Sequence, residues 1–86
     1  MNIRVVLTGR SYHLASEVPE QLALAEGANL DDALRAISAQ LPTGEQLPPS
    51  CLVSLAGQHL GSLANHRCQP LSEGDEIVLI APVAGG

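Results

Sequence analysis

The sequence is nearly devoid of aromatic residues: Tyr12 stands alone, with no Phe and no Trp. Any core it builds must be aliphatic. Lysine is absent too, and the only basic side chains are Arg4, Arg10, Arg35 and Arg67, which form no cluster and face nine acidic residues for a formal charge of -5. Nucleic-acid binding is disfavoured by that balance, because phosphate neutralisation needs grouped basic side chains. The acidity otherwise serves solubility or docking to a basic surface. Long apolar runs are missing: Met1 to Arg10 alternates, and no stretch approaches the roughly 18 residues that a membrane span requires. No membrane association is expected, and a cytoplasmic location is. Cysteine is scarce, with Cys51 and Cys68 in no CxxC arrangement, which predicts a reduced pair with no structural bridge.

What remains is aliphatic and ordered. Hydrophobic residues make up 45% of the 86 and charged residues 15%, a globular balance with room for one small domain and one core. Ile3, Val5 and Leu7 alternate with Arg4, Val6 and Thr8, predicting a first strand with one face in the core, broken at Gly9-Arg10-Ser11. Leu22 and Leu24 alternate with Ala23 and Ala25 in a second strand, whose beginning Val18-Pro19 blurs. From Asn29 the period becomes helical: Leu30, Leu34, Ile37 and Leu41 share a stripe with Ala33 beside it. Asn29 suits the N-cap, Asp31 and Asp32 suit the positive end of the helix dipole, and Pro42 marks the stop.

A polar, Pro- and Gly-containing loop from Thr43 to Ser50 leads to a third strand at Cys51 to Leu55. Ala56-Gly57-Gln58 forms a turn, Leu60 begins a short return segment, and residues 65 to 70 read as irregular. Leu71 to Glu76 is a turn with Gly74 suited to positive φ, feeding a last strand at Glu76 to Ile80. The order β, β, α, β, short β, β predicts an α+β fold: a mixed sheet with one main helix on one face. If Ile3, Val5, Leu7, Val53, Leu55, Ile77 and Leu79 face that helix, strand parity sends Val6, Leu52, Val78 and Ile80 to the uncovered face. Four aliphatics from three strands there predict an apolar partner-docking patch.

The chain closes on Ala81-Pro82-Val83-Ala84-Gly85-Gly86. Pro82 withholds an N–H and pushes Ala81 toward extended geometry, so the strand should stop there. Residues 1-81 are thus expected to form the domain and residues 82-86 a flexible tail. Val83, Ala84, Gly85 and Gly86 are slim enough to enter a narrow channel, and the terminal glycine pair arises by chance in only about 0.5% of chains. Other chemistry is thin. His59, His66 and Cys68 have no recognised zinc spacing and read as surface polar residues, so no metal is expected. Cys51, in alternation with Val53 and Leu55, reads as core filler, and Asp75-Glu76 as solvated turn acids.

The β-β-α-β-β order, with Pro70-Leu71-Ser72-Glu73-Gly74-Asp75-Glu76-Ile77-Val78 and the Ala81 to Gly86 ending, resembles the MoaD/ThiS family of ubiquitin-like β-grasp sulfur carriers. The match is best to its molybdopterin-synthase branch, which the chain's length also favours. The resemblance implies a protein that is no enzyme on its own and binds no cofactor stably. The Gly86 carboxyl would be adenylated with ATP by a ubiquitin-activating-like adenylyltransferase, then converted to a thiocarboxylate with sulfur from a donor protein. With Pro82, Val83, Ala84 and Gly85 inserted into the large subunit of molybdopterin synthase, that sulfur would pass to a pterin precursor for molybdenum cofactor biosynthesis. A thiamin-type (thiazole) or other sulfur carrier, a protein modifier, and a noncovalent β-grasp interaction module are the alternatives.

Overall fold

The computed structural model describes residues 1–9, 18–41, 44 and 47–81. Within them the chain runs β1 (Asn2–Gly9), β2 (Gln21–Ala23), α1 (Leu30–Ala39), β3 (Leu52–Leu55), β4 (Gln58–Ser62) and β5 (Glu76–Ala81). The five strands make one mixed sheet in the order β2-β1-β5-β3-β4. β1 and β5 run parallel at its centre, while the β1–β2, β3–β5 and β3–β4 pairs are antiparallel. With one helix laid on one face, this is the expected ubiquitin-like β-grasp architecture. The breaker Arg10-Ser11, Tyr12, the helix-stop Pro42 and part of the Thr43 to Ser50 loop lie outside the described residues, as do Pro82 to Gly86.

The helix begins where local chemistry says it should. Asn29 accepts a hydrogen bond from the Asp32 N–H, and the Asp32 carboxylate accepts one from the Asn29 N–H, both at 2.9 Å. This reciprocal capping box satisfies two otherwise orphaned N–H groups, and Asp31 and Asp32 meet the positive end of the dipole. Leu30, Ala33, Ile37 and Leu41 are buried, and Leu34 lies half-buried at the edge of the stripe. They close against Ile3, Val5, Val53, Leu55, Ile77 and Leu79 from the three inner strands, an aliphatic core with Cys51 fully buried in it.

One detail departs from the sequence expectation. The return strand β4 starts at Gln58, directly after a tight turn in which Ala56 and Gly57 both have positive φ, rather than at Leu60. Its register against β3 shifts between Val53 and Ser54, a bulge that leaves Leu60 between His59 and Gly61 and buries it. Residues 65 to 70 are irregular as expected, with isolated bridges that tie them down: His66 bridges Gly61, and Pro70 bridges Asn29. The Leu30 N–H donates to the Gln69 carbonyl, and the Leu71 N–H to the Ala28 carbonyl. The turn into β5 is as expected, with Gly74 at φ 83° and its N–H donating to the Asn2 carbonyl.

Candidate functional site

Strand parity and register together build the outer face. In β5 the side chains of Ile77, Leu79 and Ala81 are buried, so Glu76, Val78 and Ile80 emerge on the side away from α1. Across the parallel ladder Glu76 stands opposite Arg4, Val78 opposite Val6, and Ile80 opposite Thr8. Across the antiparallel ladder Val78 stands opposite Ser54, and Ile80 opposite Leu52. The four aliphatics Val6, Leu52, Val78 and Ile80 are therefore neighbours on one surface. Leu52 is 39% exposed and Ile80 38%, the two large hydrophobic side chains most open to solvent among the described residues.

The face is polarised along the strands. Its far end carries the exposed pair Arg4–Glu76, whose Nη1 and Oε2 are 4.0 Å apart, an ion pair that solvent screens to little net energy. Its near end carries Ile80, one residue before β5 ends at Ala81. The apolar half thus lies at the edge from which the chain passes on to Pro82. Thr8 and Ser54 share this face and were not singled out in the sequence, although strand parity was the signal that could have found them. The residues expected to act in the tail, Pro82, Val83, Ala84, Gly85 and Gly86, fall outside the described residues.

Other reactive groups lie elsewhere. Cys51 is fully buried, and that burial raises its pKa, which disfavours the thiolate and suits core filler rather than nucleophile. Cys68 is exposed and free, so the two thiols form no bridge. His66 is not the surface polar residue its sequence position suggests: its side chain is only 13% exposed, and Nε2 lies 2.7 Å from the Asp31 carboxylate. Thirty-five residues separate the two, so no local spacing could reveal the pair. No cluster of three or more His, Cys, Asp or Glu arranged for a metal occurs among the described residues. Nor is any described helix long and apolar enough to cross a membrane.

The sequence profile of the ThiS family matches residues 5–86, which takes in β1 from Val5 onward, the other four strands, the helix, the patch and the Gly-Gly ending. The chain belongs to the ThiS family. Over its full length this ThiS-family chain is also 27% identical to the molybdopterin synthase sulfur carrier subunit of Chlamydomonas reinhardtii, of which it covers 100%. It is thus a homologue of a sulfur carrier subunit. No solved structure gives a significant match. In this ThiS-family chain the apolar surface reaches Ile80, one residue before β5 ends at Ala81.

Proposed function

We propose that this protein is a sulfur carrier, and that it serves as the small subunit of a molybdopterin synthase, with Gly86 as its working residue. The observation that carries the reading is the juxtaposition of the Val6, Leu52, Val78 and Ile80 patch with the edge of β5 that leads to Gly85-Gly86, within a family match running to residue 86. The full-length similarity to a molybdopterin synthase sulfur carrier subunit supports the choice of pathway.

The chemistry follows from what a terminal carboxylate cannot do. Ionised, it is a poor electrophile, and activation must replace an oxide leaving group with a better one. Attack of the Gly86 carboxylate on the α-phosphorus of ATP, in the site of an adenylyltransferase, gives an acyl adenylate and pyrophosphate. Sulfur at the sulfide level, delivered by a donor protein, then adds to the acyl carbon and expels AMP, leaving a thiocarboxylate. That group is ionised near neutral pH and presents a soft nucleophilic sulfur. Its acceptor is a pterin precursor in the large subunit.

In this division of labour the chain supplies a reach and a dock. Gly85 and Gly86 have no Cβ, so the backbone can approach a partner's reactive centre closely. The outer face of β1, β5 and β3 seats the domain, and β5 ends at Ala81, five residues before the Gly86 carboxylate. ATP, magnesium and acid–base groups belong to the partners.

Deleting Gly86, or extending the chain beyond it, should abolish adenylation while the domain keeps its fold by circular dichroism. Normal activation of the extended chain would overturn the reading. Rescue of molybdenum-cofactor synthesis in a strain lacking its carrier supports the molybdopterin assignment. Rescue of thiamin synthesis instead would move the protein to a thiazole-type carrier.

A further inference from the structure

Segment 62–68 starts at the last residue of β4 and turns back beside it. Its ties to the sheet side are backbone bonds: the Leu63 N–H to the Cys51 carbonyl at 2.8 Å, the Ala64 N–H to the Pro49 carbonyl at 3.0 Å, and the Arg67 N–H to the Leu60 carbonyl at 3.1 Å. Its ties to the first turn of α1 run through Asp31, which the His66 ring and the Cys68 side chain both meet, with the Leu30 N–H bond to the Gln69 carbonyl just beyond it, and every hydrogen-bond partner of the His66 ring is an acceptor. Nδ1 lies 2.9 Å from the Ser62 carbonyl oxygen and 3.1 Å from that of Leu63, while Nε2 lies 2.7 Å from Oδ1 of Asp31.

A neutral imidazole has one N–H and one lone pair. Whichever tautomer it adopted, one ring nitrogen would set its lone pair against an oxygen, in a site where the side chain is largely shielded from water though Asp31 is half exposed. The imidazolium, with a proton on each nitrogen, satisfies both sides at once, and its bond to the carboxylate is charge-assisted. We propose that His66 and Asp31 form a pH-operated latch: the doubly protonated ring pins segment 62–68 to the first turn of α1, and the neutral ring releases it.

The surroundings agree. On the α1 side the titratable and charged groups are Asp31 itself, Arg35 one turn on, and Asp32, which is paired with Arg35. From its own segment Cys68 adjoins Asp31, and Arg67 is exposed. The hydrogen bond to Asp31 raises the His66 pKa above its ordinary 6.5 against the opposing effect of burial, and the same bond lowers that of Asp31. The signs set the window. The histidine's contribution is complete below its unfolded pKa and is lost as pH rises through the raised folded value; the aspartate's is lost as pH falls through its lowered one. The latch is closed between the two. Release would widen the groove between α1 and the segment, which Leu34, Ala39 and Leu63 line beside His66.

The test is a histidine-ring nitrogen NMR titration of the full-length protein from about pH 5.5 to about pH 9, with amide exchange of residues 63–66 read on the same samples. Expected are protons on both His66 nitrogens at about pH 6.5, a midpoint above that value, and a lower midpoint in Asp31→Asn. Exchange of the segment should accelerate beyond its intrinsic base-catalysed rise once pH passes the midpoint. A midpoint at or below about 6.5 in the unmodified protein overturns the latch whatever the variant does. So does a midpoint unmoved by Asp31→Asn, or exchange that follows the intrinsic rise alone.

Discussion

Leu52 and Ile80 stand directly opposite each other across β3 and β5, both more than a third exposed, on the face that α1 leaves uncovered. Their neighbours in the ladder are equally informative. Val53 and Leu79, one step along each strand, also stand opposite each other and are wholly buried against the helix. The same two strands therefore write a core on one side and an apolar surface on the other. A sheet with one dry face ordinarily alternates with polar residues on the wet one; here that alternation fails at Val6 and Val78 in mid-ladder and at Leu52 and Ile80 toward the end of β5.

Replacing Ile80 by Lys should leave the fold intact, because the side chain already reaches solvent. It should weaken association with the synthase large subunit by roughly tenfold or more, since an unpaired ammonium cannot be seated in a dry interface without cost. Titration calorimetry with the large subunit, alongside thermal melts of the free variant, separates the two effects. Unchanged affinity would remove this face from the docking surface. The companion substitution Leu79→Ala should behave oppositely, costing about 2–5 kcal/mol of stability through loss of core volume.

Gly61 should not accept a side chain. It sits at φ 128°, and a Cβ built there would fall 2.4 Å from the Asn65 carbonyl oxygen and 3.0 Å from the His66 Cα, both backbone atoms with little freedom to yield. Gly61→Ala should cost about 1–3 kcal/mol, combining overpacking with a left-handed backbone. Chemical denaturation checks the magnitude. Because the clash pushes on the segment that carries His66, the same variant should also loosen the amides of residues 63–66.

The legible parts of this chain were those written in period and parity. The helix from Asn29 could be read because its cap, its acidic first turn and its aliphatic stripe agree with one another; the structure puts Asn29 at the N-cap and adds the reciprocal bond from the Asn29 N–H to Asp32. The patch could be read because two-residue periodicity in β1, β3 and β5 fixes which side chains share a face once the helix side is chosen. Two features could not. The bulge at Leu60 depends on a register set by the turn at Ala56-Gly57, where the strand's own residues give no sign of the extra position. The His66–Asp31 pair arises only because the segment before β5 passes the helix start, and that path is a tertiary outcome.

The central claim, that Gly86 carries sulfur, is tested most directly by intact-mass spectrometry of the protein with its natural C-terminus. It is incubated with ATP, a molybdopterin-pathway adenylyltransferase and a sulfur donor, and an established carrier in the same mixture serves as control. The account predicts a gain of about 16 Da, one oxygen exchanged for sulfur, mapping to Gly86 in the C-terminal fragment. An unchanged mass while the control carrier converts would contradict it.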